Sequence, residues 1–329
     1  MLVVGLLDAS RKGASPITKD PGINKVAVIG AGLMGFGIGV DFARAGYEVT
    51  LWNTKAETSK QAMERARTAL DRMVEAKVTT KSEANAAYAR LHPTTDMTQA
   101  AKGADYVIES VLEQLKVKHE VYRRLDELCP PPAILASNSS GIMPTTLATV
   151  CTHPERLLIA HYFQPPHFLP IVEILGGEKT SKETIDRTFR VLSKMRKKPV
   201  ILRKELPGFA GNRIQRVIGE MCSSLVEDGV CSPEEVDDII MYGFGRRMTN
   251  TGFFLRNDLI GLDLGYDAAI ARGQKPIKVV VEHYKRGELG VKTGKGFYTW
   301  TPESVEALHR RQDMDLLRLM KRDYEEGRL

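Results

Sequence analysis

The first two thirds of the chain alternate between short apolar runs and amphipathic stretches. The apolar runs predict strands at Val26–Ile29, Glu48–Trp52, Asp105–Glu109, Ala133–Ala136, Arg156–Phe163, Ile171–Ile174 and Pro199–Leu202. Apolar residues at helical spacing predict helices over Ala56–Ala76 and Val117–Leu128, with a shorter one at 81–90. Strands that alternate with helices in this way predict an α/β fold, an open sheet covered by helices on both faces.

The pattern changes at Leu206-Pro207-Gly208. Beyond it the spacing is helical, most clearly over Gly211–Glu227, Pro233–Tyr242 and Pro302–Glu326, and strand signals are rare. The sequence therefore predicts an N-terminal extension at 1–23, an α/β domain at 24–205 and an all-helical domain at 206–329.

A glycine pattern, G-x-G-x-x-G, follows the first predicted strand at once. Its glycines are Gly30, Gly32 and Gly35, and a helix and a second strand complete a βαβ unit. The first glycine permits a tight turn, the second lets the backbone approach a pyrophosphate, and the third allows close packing of helix and strand. The helix N-terminus offers free N–H groups to the phosphates. This unit predicts a Rossmann-type, doubly wound sheet that binds a dinucleotide.

The end of the second strand departs from the usual NAD pattern. An acidic residue that binds the ribose 2′-hydroxyl is expected there, but the chain has Asn53, Thr54 and Lys55. A carboxylate would repel a 2′-phosphate, whereas these three side chains can bind one. We therefore expect NADP or NAD as the cofactor, with NADP favoured.

Six short stretches that carry polar residues follow one another in a distinctive order. They are Glu109–Glu113, Ala136–Gly141, His161–Pro165, Ile171–Ile174, Pro207–Arg213 and Gly290–Tyr298. Together with the glycine turn, they closely resemble the 3-hydroxyacyl-CoA dehydrogenase family from about residue 25 to 300. The resemblance implies a Rossmann domain followed by a helical dimerisation domain, with an active site in the cleft.

The resemblance also implies roles for individual residues. The family's catalytic residues fall on Ser140, His161, Glu173 and Asn212, and its cofactor-contacting Glu and Lys fall on Glu113 and Lys118. The predicted cofactor-binding residues are Gly30, Gly32, Leu33, Met34, Gly35, Asn53, Thr54, Lys55, Glu113, Lys118, Asn138 and Gln164.

These residue types suit the oxidation of a secondary alcohol. Histidine exchanges protons near neutral pH, so His161 can act as the general acid or base. Glu173 can orient the imidazole and stabilise its charged form. Ser140 and Asn212 can hydrogen-bond the substrate oxygen as charge develops on it.

The substrate branch rests on departures from the acyl-CoA pattern. The Ser and Lys that contact coenzyme A in that branch correspond to Ala69 and Ala76, although Lys77 is adjacent. The stretch Gln164–Pro170, with its double proline, resembles a branch that oxidises small free hydroxy acids such as gulonate and carnitine. Arg247 matches an Arg of that branch and can pair with a substrate carboxylate, but a surface or interface salt bridge is an equally open interpretation.

The sequence leaves three alternatives to a small hydroxy-acid dehydrogenase. One is a 3-hydroxyacyl-CoA dehydrogenase. Another is an NADPH-dependent imine or ketone reductase, because the strand end Leu51–Thr54 resembles that class. The third is a non-catalytic dinucleotide-binding protein, like the related lens crystallins, although the complete set of four catalytic residue types argues against it.

The composition of the chain limits the kinds of molecule that it is expected to bind. The 329 residues carry a net charge of +6 that is spread along the chain, so we expect no nucleic-acid partner. The four cysteines lack metal-ligand spacing, and no apolar stretch is long enough to span a membrane. We therefore expect a cytoplasmic enzyme without a metal. Apolar positions in Gly211–Glu227 and at 252–270 predict a homodimer formed through the helical half.

Overall fold

The structure is a computed structural model that describes residues 17–329, so most of the predicted extension at 1–23 lies outside the described residues. It has an eight-stranded sheet in the order β3-β2-β1-β4-β5-β6-β7-β8, followed by helices. The predicted fold class, a Rossmann-type sheet followed by a helical region, is confirmed.

The sheet is parallel except at one junction. Strand β7 runs antiparallel to β6, and β8 is parallel to β7. The strands are β1 (Lys25–Ile29), β2 (Glu48–Trp52), β3 (Leu91–Thr94), β4 (Tyr106–Glu109), β5 (Ile134–Ser137), β6 (Leu157–Tyr162), β7 (Ile171–Gly176) and β8 (Lys198–Leu202).

Helices cover both faces of this sheet. They are α1 (Gly35–Arg44), α2 (Ala56–Glu75), α3 (Lys81–Ala89), α4 (Met97–Ala101), α5 (Leu115–Leu128), α6 (Pro144–Ala148) and α7 (Lys182–Lys194). Successive residues of β1 alternate between two cores: Val26 and Val28 pack into one, Ala27 and Ile29 into the other. A strand that is buried on both faces has no polar alternation, which explains its continuous apolar sequence.

The sequence did not predict β3. Its residues are Leu-His-Pro-Thr, and a proline cannot donate to a strand ladder. The strand lies at the edge of the sheet, where only one neighbour is needed, so Pro93 is tolerated there. A short strand with two exposed residues carries little pattern for sequence analysis to detect.

By internal contacts the chain divides into two compact units, one ending at Val217 and the other covering Ile218–Leu329 among the described residues. The division falls within α8 (Gly211–Glu227), whose first residues belong to the N-terminal unit. The domain bounds 24–205 and 206–329 stay a prediction.

Beyond α8 the chain is helical. Its helices are α9 (Pro233–Asp238), α10 (Gly245–Met248), α11 (Phe253–Ile260), α12 (Leu262–Ala271), α13 (Lys278–Lys285) and α14 (Pro302–Glu325). The helix predicted over Pro233–Tyr242 continues beyond α9 as a π-helical segment at Ile239–Phe244. None of the helices in the described part of the chain combines the length and apolar character needed to cross a membrane.

A buried carboxylate organises the C-terminal motif Gly290–Tyr298. Asp258, on α11, is fully buried and accepts hydrogen bonds from the backbone N–H groups of Phe297 and Tyr298 and from the indole of Trp300. A Cβ at Gly296 would overlap this carboxylate. The motif therefore has a structural explanation within its own unit.

Candidate active site

The glycine turn has the geometry that its sequence predicts. Gly30 follows β1 with φ of +103°, a conformation that other residues rarely adopt. A Cβ at Gly35 would overlap the backbone of Gly30, and a Cβ at Gly32 would meet nothing within 4 Å. Helix α1 begins there without a side-chain cap or an acidic residue in its first turn. This end of the helix therefore suits an anionic phosphate group.

Two neighbouring cavities open along this end of the sheet. One, of about 930 Å³, is lined by Gly32, His161, Ser140 and Asn212, among others. The second, of about 490 Å³, extends towards Asn53 and Thr54 at the end of β2. Both are lined by Gly32 and by the segment 110–112. The space thus leads from the strand end that should recognise the ribose, past the glycine turn, to the predicted catalytic residues.

His161 and Glu173 form a cross-strand pair. They lie directly opposite each other in the antiparallel ladder of β6 and β7, and His161 Nδ1 is 2.9 Å from Glu173 Oε2. Both side chains are about 95% buried. An ionised carboxylate only accepts hydrogen bonds, so Nδ1 carries the proton and a neutral imidazole keeps Nε2 as an acceptor.

The backbone at the start of α8 supports the same carboxylate. Glu173 Oε1 accepts hydrogen bonds from the N–H groups of Ala210 (3.1 Å) and Gly211 (2.8 Å). Burial alone would raise the pKa of Glu173, but hydrogen bonds from His161 and from these N–H groups lower it overall. Glu173 is therefore ionised at neutral pH and can stabilise a positive charge on His161.

Glu113 holds the turn that carries Ser140. Its Oε1 accepts hydrogen bonds from the Ser139 hydroxyl and from the N–H groups of Ser140 (3.0 Å) and Gly141 (2.9 Å). Its other oxygen lies 3.3 Å from Lys118 Nζ. Both residues line the large cavity, and their contacts with a cofactor stay a prediction.

Glu109 is a buried residue of the site that the sequence analysis did not select. At the end of β4 it is fully buried, and it binds Lys118 Nζ at 2.6 Å and the Ser137 hydroxyl at 2.6 Å. It also accepts a hydrogen bond from Val111 N at 2.7 Å. The sequence feature that could have identified Glu109 is a carboxylate at the end of an apolar strand. In the structure, the segment that follows it lines both cavities.

Two family models match successive parts of the chain. A family model described as "3-hydroxyacyl-CoA dehydrogenase, NAD binding domain" matches residues 25–206, and one described as "3-hydroxyacyl-CoA dehydrogenase, C-terminal domain" matches residues 208–300. The chain belongs to the 3-hydroxyacyl-CoA dehydrogenase family. The sequence-based resemblance is therefore confirmed.

Similar proteins within the family have different substrates in their names. A 5-formyl-3-hydroxy-2-methylpyridine 4-carboxylate 5-dehydrogenase of Mesorhizobium japonicum is 32% identical over 87% of this chain and 94% of its own length. An L-carnitine dehydrogenase of the same organism is 36% identical over 70% of this chain and 63% of its own length.

A solved structure is similar over nearly the whole chain. The 3-hydroxyacyl-CoA dehydrogenase of Archaeoglobus fulgidus has a TM-score of 0.76 and 31% identity, and the match covers 91% of this chain and 99% of that one. The chain is accordingly an oxidoreductase, a nicotinamide-dependent dehydrogenase that acts on a CH–OH group.

The remaining residues that are predicted to bind the cofactor lie along the two cavities or beside them. Leu33, Met34, Asn138 and Gln164 line the large cavity. Asn138 also accepts a hydrogen bond from the backbone of Tyr162, next to His161. Lys55 is exposed and immediately precedes α2.

Four further positions bear on the substrate branch. Arg247 lies on α10 in the C-terminal unit, and its substrate role stays a prediction. Ala69 is buried in the core against the sheet, so this position presents no side chain to a ligand and gives no information on coenzyme A. Ala76 and Lys77 are exposed. Among residues 17–329, no cluster of metal-ligating side chains is present.

Proposed function

We propose that this dehydrogenase interconverts a small hydroxy acid and its keto acid, with His161 as the general acid–base. The observation that carries the proposal is the His161–Glu173 pair at the wall of a cavity that Ser140 and Asn212 also line. The relatives whose names specify a pyridine carboxylate and carnitine support a small substrate.

The hydrogen-bond pattern supports a route for the proton through His161. With Nδ1–H donated to Glu173, Nε2 of His161 accepts the substrate hydroxyl proton during oxidation and returns it during reduction. A bound nicotinamide supplies reversible acceptance of the hydride. Ser140 and Asn212 donate hydrogen bonds to the substrate oxygen, and Glu173 balances the charge of the imidazolium.

The glycine turn, the segment 110–113 and the end of β2 would hold the cofactor. We propose that NADP(H) is accepted and favoured. Asn53 Oδ1 accepts a hydrogen bond from Thr54 N at 2.8 Å, which leaves the amide NH₂ to donate to a ribose oxygen or a phosphate. Thr54 and Lys55 are exposed beside it, and neither Asn53 nor these two side chains is negatively charged.

A second candidate, a hydroxyacyl-CoA substrate, is favoured by the charge of the cavity. Lys118 is the only cationic residue that lines the large cavity among the described residues, and its charge faces Glu109 and Glu113. A lining whose cation is already paired with carboxylates suits the neutral thioester end of an acyl-CoA. A free carboxylate needs a cation from elsewhere, and Arg247 is the sequence-based candidate for it.

The role of His161 predicts a specific kinetic change. His161→Ala should lower kcat by about two to four orders of magnitude, the range for loss of a general acid–base. Glu173→Gln should lower it less, because the imidazole remains. NAD(P)H affinity, measured by fluorescence titration, should stay unchanged in both variants. His92→Ala, an exposed histidine on β3, is the matched control. Full activity of His161→Ala would refute the mechanism.

Substrate class can be decided by a turnover screen with both cofactors. Small keto acids should be reduced with a higher kcat/KM than acetoacetyl-CoA, and Arg247→Gln should raise KM for the acids alone, because it removes the predicted carboxylate partner. Efficient acetoacetyl-CoA reduction that Arg247→Gln leaves unchanged would establish the second candidate. A panel of cyclic imines tests the reductase alternative in the same assay.

The proposed preference for NADP(H) predicts the effect of a new carboxylate at the end of β2. Asn53→Asp should lower kcat/KM for NADPH relative to NADH by about ten-fold or more, because like charges at close range cost several kcal/mol. Lys60→Ala, an exposed lysine one turn further along α2, is the control. If wild-type protein strongly prefers NADH, the NADP proposal fails.

We also propose that the protein is a homodimer. Ile214, Val217 and Met221 form an apolar stripe along α8, each more than half exposed. Phe253, Leu264 and Ile277 are similarly exposed in the C-terminal unit. Monomers rarely leave this much apolar surface uncovered. Light scattering should give twice the 36.6 kDa chain mass, and Val217→Glu should lower it towards one chain. A monomer at all concentrations would exclude this proposal.

A further inference from the structure

The loop between β6 and β7 forms part of the wall beside His161. Phe163, Gln164, Pro165 and Leu169 of this loop, residues 163–170, line the large cavity. The loop begins two residues after His161, and its residues belong to no strand or helix. The shape of the loop therefore depends in part on its contacts with the residues packed on the side away from the cavity.

A buried ammonium group supports this loop, in addition to the backbone hydrogen bond from Lys198 N to Pro170 O at 2.7 Å. Lys197 precedes β8, and its side chain is 95% buried. Its Nζ donates hydrogen bonds to two loop carbonyls, Pro166 O at 2.5 Å and Leu169 O at 2.9 Å, and forms an ion pair with Asp41 on α1. Three acceptors match the three N–H bonds of a lysine ammonium.

The loop also packs directly on α1. A Cβ at Gly37 would overlap the ring of His167, and the rings of Phe36 and His167 lie 5.3 Å apart. Helix α1 is the helix whose N-terminus forms part of the glycine turn. Lys197 thus ties the loop beside His161 to the helix that is expected to bind the cofactor phosphates.

We propose that Lys197 is a positioning residue that fixes the substrate-side wall of the cavity and thereby limits the size of substrate accepted. Its hydrogen bonds connect the positions of Pro166 and Leu169 to Asp41, so the wall keeps a constant distance from the cofactor-binding helix. This inference rests on the proposed site around His161, but it does not depend on which substrate branch is correct.

The test uses Lys197→Met, which keeps the stem and removes all three donors. With the best substrate found for wild type, KM should rise about ten-fold or more, because a wall that is no longer held in place loses binding contacts with the substrate. NAD(P)H affinity should stay within two-fold, and activity on a bulkier homologue should rise relative to the best substrate. Lys198→Met, at the neighbouring exposed lysine, is the control.

Removing Lys197 leaves the buried Asp41 with the more distant Arg44, whose Nη1 is 3.9 Å from Asp41 Oδ1, as its cationic partner, so Lys197→Met alone can fail to fold. Burial raises the pKa of Asp41, and the Lys197 charge opposes this rise. Lys197→Met combined with Asp41→Asn removes both charges and should show the same change in KM and in substrate order. A folded single or double variant with the KM and substrate order of Lys198→Met would overturn the proposal.

Hydrogen exchange separates this inference from the proposed reaction. The amides of Phe168 and Leu169 bond to Pro165 O within the loop, at 3.1 and 3.0 Å. They should exchange faster in the double variant than in wild type, while the amides of β6 stay protected. This readout needs no substrate, so it holds if the assumed reaction is wrong. Unchanged exchange of both amides would show that Lys197 does not hold the loop.

Discussion

The antiparallel pairing of β6 with β7 places His161 opposite Glu173, and the rest of the candidate site depends on this register. A slip by one residue would turn the two side chains to opposite faces of the sheet. The register is held by apolar pairs in both cores: Ala160 with Ile174 in one core, and Ile159 with Leu175 in the other. The backbone of Ala210 and Gly211 then completes the hydrogen bonds of Glu173, which connects the start of α8 to the same pair.

Buried ion pairs connect the ends of other elements in the same way. Glu109 with Lys118 joins β4 to α5, Asp126 with Arg156 joins α5 to the start of β6, and Asp41 with Lys197 joins α1 to β8. Such pairs are weak contributors to stability, because desolvation offsets most of their attraction. The role of these ion pairs here is to position the elements that they connect. Each fixes a loop or strand end, where backbone conformation would otherwise vary.

The sequence predicted those parts of the molecule that local pattern determines. The βαβ unit around Gly30–Gly35 is visible because glycines, an apolar strand and a helix follow in fixed order. Strand β3 was missed because its proline suits only an edge. Glu109 and Lys197 were not selected, because their partners are distant in sequence and only the folded sheet brings them together. The motif Gly290–Tyr298 was recognised, but its dependence on Asp258 was not predictable, since Asp258 lies 32 positions before Gly290.

The charged side chains at the wall of the large cavity bear on which substrate it can bind. Lys118 lies at the cavity wall, yet Glu109 and Glu113 surround its ammonium group, so it has little attraction left for a substrate anion. Its position instead organises Glu113, which in turn holds the Ser140 turn. In the proposed mechanism, the N-terminal unit supplies a proton acceptor and neutral hydrogen-bond donors, groups that act on any secondary alcohol. Recognition of one particular acid or thioester must therefore come from groups other than the ion pairs that build this site.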